Sequence, residues 1–200
     1  MTRLMLAMSL ALFAASDPVR AQQSSVQQQF DAASAAIEAG NWNDALTRFR
    51  ALESRLGPLD SRSLAIVRVR MALALLELGQ IDESHRLVDL ALPFLSAEDP
   101  TLYGDRFEAL LTRARIAEAA LDYPSAARDY REAIAVPLPD SDKLVAYRGL
   151  IQTQLFDAPE AAIRVADAAL AAVGSAPSRD RELQGQFHTL KGRALLNLRR

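Results

Sequence analysis

Gly40-Asn41-Trp42-Asn43-Asp44-Ala45-Leu46-Thr47-Arg48-Phe49-Arg50-Ala51-Leu52 decides the fold, because its frame returns three times along the chain. A turn residue is followed by an apolar residue, then a small one, then a large apolar one four positions later. Gly79-Gln80-Ile81-Asp82-Glu83-Ser84 repeats the frame and continues to Val88 and Ala91. Leu121-Asp122-Tyr123-Pro124-Ser125-Ala126, with Tyr130 and Ala133, is the third copy. Phe156-Asp157-Ala158-Pro159-Glu160-Ala161, with Val165 and Ala168, is the fourth. The small residues Ala45, Ser84, Ala126 and Ala161 stand 39, 42 and 35 positions apart. Self-similarity at this period marks stacked units, none of which can bury its apolar face alone.

The physical content of the frame is a tight turn between two helices. Apolar residues recur at helical spacing throughout. Where two helices cross closely, a small residue is needed on each. Ala45, Ser84, Ala126 and Ala161 supply it on the second helix of each pair. Ala33, Ala72, Ala114 and Gly149, seven positions before each turn residue, supply it on the first. Phe49, Val88, Tyr130 and Val165 are expected to fill the space towards the next unit. Gly40 and Gly79 sit where a helix ends and a left-handed residue is cheap; Leu121 and Phe156 replace them in the later copies. Asp99-Pro100-Thr101, Asp140-Ser141-Asp142 and Asp157 read as helix starts. Pro93 is expected to end or kink the second helix of the second copy. The surplus residues fall in Gly57–Ser61, Ser96–Pro100, Pro137–Ser141 and Gly174–Ser178, all rich in Pro, Gly, Ser or Asp.

These four frames resemble the tetratricopeptide repeat, a helical hairpin of 34 residues, with each spacing read as one unit plus a loop insertion. The resemblance runs over a domain at 22–200, with units at about 24–57, 61–96, 100–136 and 141–174 and a partial unit at 178–200. It implies an all-α fold: a right-handed superhelical stack of antiparallel helix hairpins, an α-solenoid of about four hairpins plus a terminal helix. Asp180 to Leu198 reads as a fifth first helix, with Gly192 in the small-residue slot and a stripe of Leu190, Ala194, Leu195 and Leu198. No second helix follows, and the apolar Leu195-Leu196-Asn197-Leu198 favours an unfinished array. One expectation is therefore the N-terminal repeat region of a larger envelope protein, such as a TonB-type energy transducer or a CHAT-type peptidase.

Met1-Thr2-Arg3 and the run Leu4 to Ala15, apolar but for Ser9, precede Asp17-Pro18 and Val19-Arg20-Ala21. This is the layout of a cleavable signal peptide at 1–21, cut after Ala21, with cutting after Ala15 as the alternative. A run of twelve residues is short of the roughly 20 that a spanning helix needs. The expected mature chain is periplasmic or secreted, spans no membrane and carries a net charge of −3. That near balance of charge argues against a nucleic-acid partner. The absence of cysteine excludes disulfides and thiolate chemistry.

Nothing in the sequence points to an enzyme, a metal or a cofactor. His85 and His188 have no nucleophile or second ligand at a telling spacing, and no phosphate-cradling loop is present. The resemblance instead implies a groove, lined by the first helix of each unit, that holds a protein or peptide. Its positions carry over to Phe30 and Asp31, to Arg70, Leu73 and Glu77, and to Thr112, Arg115 and Glu118. In the later units they fall on Lys143, Tyr147, Leu150 and Gln154, and on Arg193 and Asn197. The partner-binding residues singled out are Arg70, Leu73, Arg115, Glu118, Lys143, Tyr147 and Arg193. Ser34, Leu73, Asp31 and Arg70 stand where the family's carboxylate clamp has asparagine, which rules that clamp out. The same residues also suit a purely structural use, packing neighbouring first helices together.

Overall fold

The structure is a computed structural model that describes residues 18–56, 60–174 and 178–199. The leader reading falls mainly on 1–17, outside the described residues; the first helix is described from Pro18 and runs across Ala21.

The described residues form helices and no strands. In chain order these are α1 (Pro18–Glu38), α2 (Trp42–Arg55), α3 (Ser61–Glu77), α4 (Ile81–Ala91), α5 (Tyr103–Ala119), α6 (Tyr123–Ala135), α7 (Leu144–Gln154), α8 (Pro159–Val173) and α9 (Ser178–Asn197). They pack in consecutive antiparallel pairs, α1 with α2 through α7 with α8, and α9 lies on α8. Pro93 acts as expected: α4 stops at Ala91 and continues only as a 3-10 turn over Leu92–Phe94. Proline has no N–H to extend the helical ladder.

Three turns between first and second helices are built alike. Gly40 and Gly79 take φ of 72° and 75°. Asn41 N–H donates to Ala36 O and Gly40 N–H to Ile37 O; Gln80 and Gly79 do the same to Leu75 and Leu76. This Schellman arrangement satisfies the last carbonyls of the helix. Leu121 repeats it at φ 60°, with Asp122 N–H on Ala117 O and Leu121 N–H on Glu118 O. A leucine there pushes its Cβ against the backbone, at about 1–2 kcal/mol. The side-chain carboxylate of Asp122 then caps α6 by accepting from Ser125 N–H at 3.2 Å.

The fourth turn departs from the expected frame. Phe156 does not take a left-handed φ. The turn runs one residue longer, and α8 is capped by Ala158 rather than Asp157, with Pro159 in its first turn. The bond that opens each second helix makes the shift plain. Ala45, Ser84 and Ala126 donate to Asn41, Gln80 and Asp122; in the fourth hairpin Ala162 donates to Ala158. The small residue of the fourth crossing is therefore Ala162, fully buried, and not Ala161. Ala166 takes the slot expected of Val165.

At the crossings, Ala33, Ala45, Ala72, Ser84, Ala114 and Ala126 are all fully buried. The Ser84 hydroxyl donates to Ala72 O at 2.6 Å, which links the two small positions of the second hairpin directly. Phe49 packs within its own hairpin, edge-on to Phe30 with centroids 5.6 Å apart. Tyr130 does reach the next hairpin, where its ring lies over Gly149: a Cβ there would stand 2.2 Å from the ring. Tyr130 cannot swing aside freely, since it is buried and its hydroxyl donates to Glu118 at 2.6 Å. Gly149→Ala should therefore destabilise by about 3 kcal/mol, at the upper end for overpacking. Combined with Tyr130→Ala, the total loss in urea unfolding should fall short of the sum of the single losses by about 1 kcal/mol or more.

Candidate functional site

The first helices α3, α5, α7 and α9 touch one another from hairpin to hairpin, and long polar side chains stitch that face. Arg70 on α3 pairs with Asp105, 3.7 Å away, and with Glu108 on α5. About two helical turns further along the same two helices, Arg115 on α5 pairs with Glu77 on α3 at 2.5 Å. Glu118 accepts from Tyr130 and feels the positive charges of Arg115 and Arg148. Burial still pushes the Glu118 carboxyl above its ordinary range, outweighing that hydrogen bond and those cations. Asp105 and Glu108 are likewise raised by burial, against the pull of Arg70.

The face has a cavity of about 260 Å³ between α1 and α3. Val26, Phe30, Ile66 and Val67 line it with apolar surface, together with Leu52 of α2 and Leu56 just beyond that helix. Arg70 and Asp105 stand at its polar edge. Between α7 and α9 a wider, more open groove is lined mainly by Arg148, Gln152, Glu182, Gln186 and Thr189.

The residues expected to contact a partner occupy different environments. Arg70, Leu73, Arg115 and Glu118 are half-buried on the face of α3 and α5. Arg70, Arg115 and Glu118 already have partners within the chain. Lys143 is buried: its ammonium donates to Ile134 O and pairs with Asp140, both at 3.0 Å, fastening the 137–143 loop to α6. Tyr147 is buried in the core that the fourth hairpin shares with α9, and burial raises its phenol. Arg193 is exposed. Of the wider groove set, Phe30 lines the cavity, whereas Gln154 and Thr112 are buried.

Asp105, Glu108, Ile66 and Val67 escaped sequence reasoning. The acidic pair carried a readable signal. Arg70 and Asp105 are 35 positions apart, and Glu77 and Arg115 are 38 apart, close to one repeat. Opposite charges at one repeat interval on first helices face each other across the stack. Ile66 and Val67 gave no such signal, since core and cavity aliphatic residues look the same along a helix.

Two further ion pairs hold hairpins together internally. Arg113 clasps the buried Asp129 through two bonds of 2.8 and 2.9 Å, and Arg106 bridges Glu132 and Leu95 O. Among the described residues there is no group of three acidic or histidine side chains placed to hold a metal, and no helix long and apolar enough to cross a membrane. No family model matches the chain, and no match is found among curated proteins.

The Arg70 cluster sets a pH dependence. A carboxyl whose folded pKa is raised holds its proton more tightly than in the unfolded chain, so its cost appears as pH rises past the unfolded value. Glu108→Gln removes that cost and keeps Asp105 for Arg70. Relative to wild type, the variant should gain stability as pH is raised above the ordinary glutamate value of 4.5, read from urea midpoints across pH. An unchanged difference, or one that shrinks with pH, would show that burial does not control Glu108.

Proposed function

We propose that this protein is a non-catalytic, tetratricopeptide-like interaction module that holds a protein or peptide segment on the face formed by its first helices. The observation that carries the reading is the open apolar cavity between α1 and α3, with charged Arg70 and Asp105 at its edge. An apolar side chain of a partner segment fits the cavity, and the polar edge suits the main chain beside it. The curvature inferred for the stack agrees. From α3 onward, first helices touch across hairpins, while the second helices α2 and α4 are joined by long side chains such as Arg50–Glu83. Closer spacing on the first-helix side bends such an array around that side. The leader-like start supports export to the periplasm or beyond, with the binding done there.

The test is selection of binders from a displayed random-peptide library, followed by calorimetry with the selected peptide. Ile66→Asp, in the cavity wall, should weaken binding at least about tenfold. Arg50→Glu, on a second helix, should leave binding within about twofold, as expected of a residue outside the contact. No selectable peptide, or binders indifferent to Ile66→Asp, would count against the reading.

A second reading, an array that continues into a larger envelope protein, is favoured by α9. Counting from Gly149 and Gly192, the buried Ala146, Leu150 and Thr153 of α7 correspond to Thr189, Arg193 and Leu196, which are exposed. Leu195 beside them is exposed too. Intact mass of the protein from its native source decides: a mass well above 21.8 kDa supports this reading, and a smaller one removes it.

A further inference from the structure

The turn edge of the third and fourth hairpins carries large apolar side chains that their positions do not call for. Leu121 is 71% exposed and Phe156 72% exposed, where the first two hairpins have Gly40 and Gly79. Leu121 holds its place at φ 60°, a backbone that glycine would adopt without strain. Tyr123, in the same turn, is 42% exposed. A leucine and a phenylalanine left in water at successive turns gain nothing for the hairpins themselves.

The strip continues onto α9. First helices run in the same direction, so the ends of α5, α7 and α9 lie along one edge, with neighbouring helices about 8–10 Å apart. Asn197 on α9 donates to Leu155 O at 2.8 Å, which pins the end of α9 beside Phe156. Leu198, exposed, and Arg199 follow. The edge therefore reads Leu121-Asp122 at one end, Phe156 in the middle and Leu198-Arg199 at the other. Asp122 and Arg199 form no ion pair among the described residues.

We propose that this edge is a self-association surface on which a second copy of the chain docks through a two-fold axis near Phe156. Such an axis makes the strip antiparallel to itself. Phe156 then meets Phe156 of the second copy, and Leu121 meets Leu198. Asp122 at one end faces Arg199 at the other, twice over. A two-fold contact must be self-complementary, and acid at one end with base at the other supplies that, against the like charges of the two exposed Asp157 side chains beside the axis. The same charges fit an anionic membrane less well, because Asp122 and Asp157 adjoin the two most exposed apolar side chains. The surface is separate from the first-helix face, so the proposal stands or falls independently of the peptide-binding reading.

Sedimentation and light scattering of the full chain as a function of concentration, up to about 200 µM, test it in the range of weak interfaces. A reversible dimer is expected, weakened by salt because the end pairs are exposed. Phe156→Asp should weaken dimerisation at least about tenfold, while Leu90→Asp, exposed on α4, should not. Leu121→Gly separates docking from folding. It should weaken the dimer about fivefold through lost apolar burial while raising the monomer Tm by about 2–4 °C through released strain. A wild-type chain that stays monomeric throughout overturns the proposal. So does a dimer insensitive to Phe156→Asp, or one broken equally by Leu90→Asp.

Discussion

Close crossing of two helices within each hairpin is the constraint on which the rest depends. It allows only an alanine, a serine or a glycine at the contact. Ala33 with Ala45, Ala72 with Ser84, and Ala114 with Ala126 meet it, and all are fully buried. Once the backbones are that close, larger neighbours one helical turn away have no choice but to fill what remains. Phe49 turns onto Phe30, and Tyr130 lies across Gly149. The Ser84 hydroxyl, fully buried, donates to the Ala72 carbonyl.

A second layer of organisation is polar. Most charged contacts between helices join a first helix to the next first helix, or the two helices of one hairpin. Arg70 and Arg115 do the former, Arg113 and Arg106 the latter. The partly buried pairs cost desolvation that their attraction offsets only in part, as the raised carboxyls of Asp105 and Glu108 show. Their value lies in register, because charges one repeat apart can meet only if the hairpins stack in one alignment. The apolar cavity between α1 and α3 lies at the edge of this lattice, where first-helix packing leaves room that the side chains do not fill.

The fourth hairpin shows how a repeat bends its own rules. Its turn lacks a residue at positive φ and runs one position longer. That moves the crossing from Ala161 to Ala162. The sequence around it, Ala161-Ala162 followed by Val165-Ala166, is small and apolar in both registers. Hence the frame read from spacing alone settled on the wrong alanine. The choice was made by the turn, whose geometry is not written in any single residue type.

By itself the sequence determined the helical hairpins, three of the four crossings, the left-handed turns at Gly40 and Gly79 and the break at Pro93. Each follows from local rules: periodicity, chain stiffness and the demand for a small residue at a close approach. Only the tertiary structure decided what each polar residue on the first-helix face does. Lys143 and Tyr147, expected at a surface, are buried because the 137–143 loop folds over α6 and because α8 and α9 close around α7. Arg70 and Arg115 find carboxylates a full repeat away. Helical periodicity says which side of a helix a residue occupies; what stands opposite that side is fixed by how the hairpins stack.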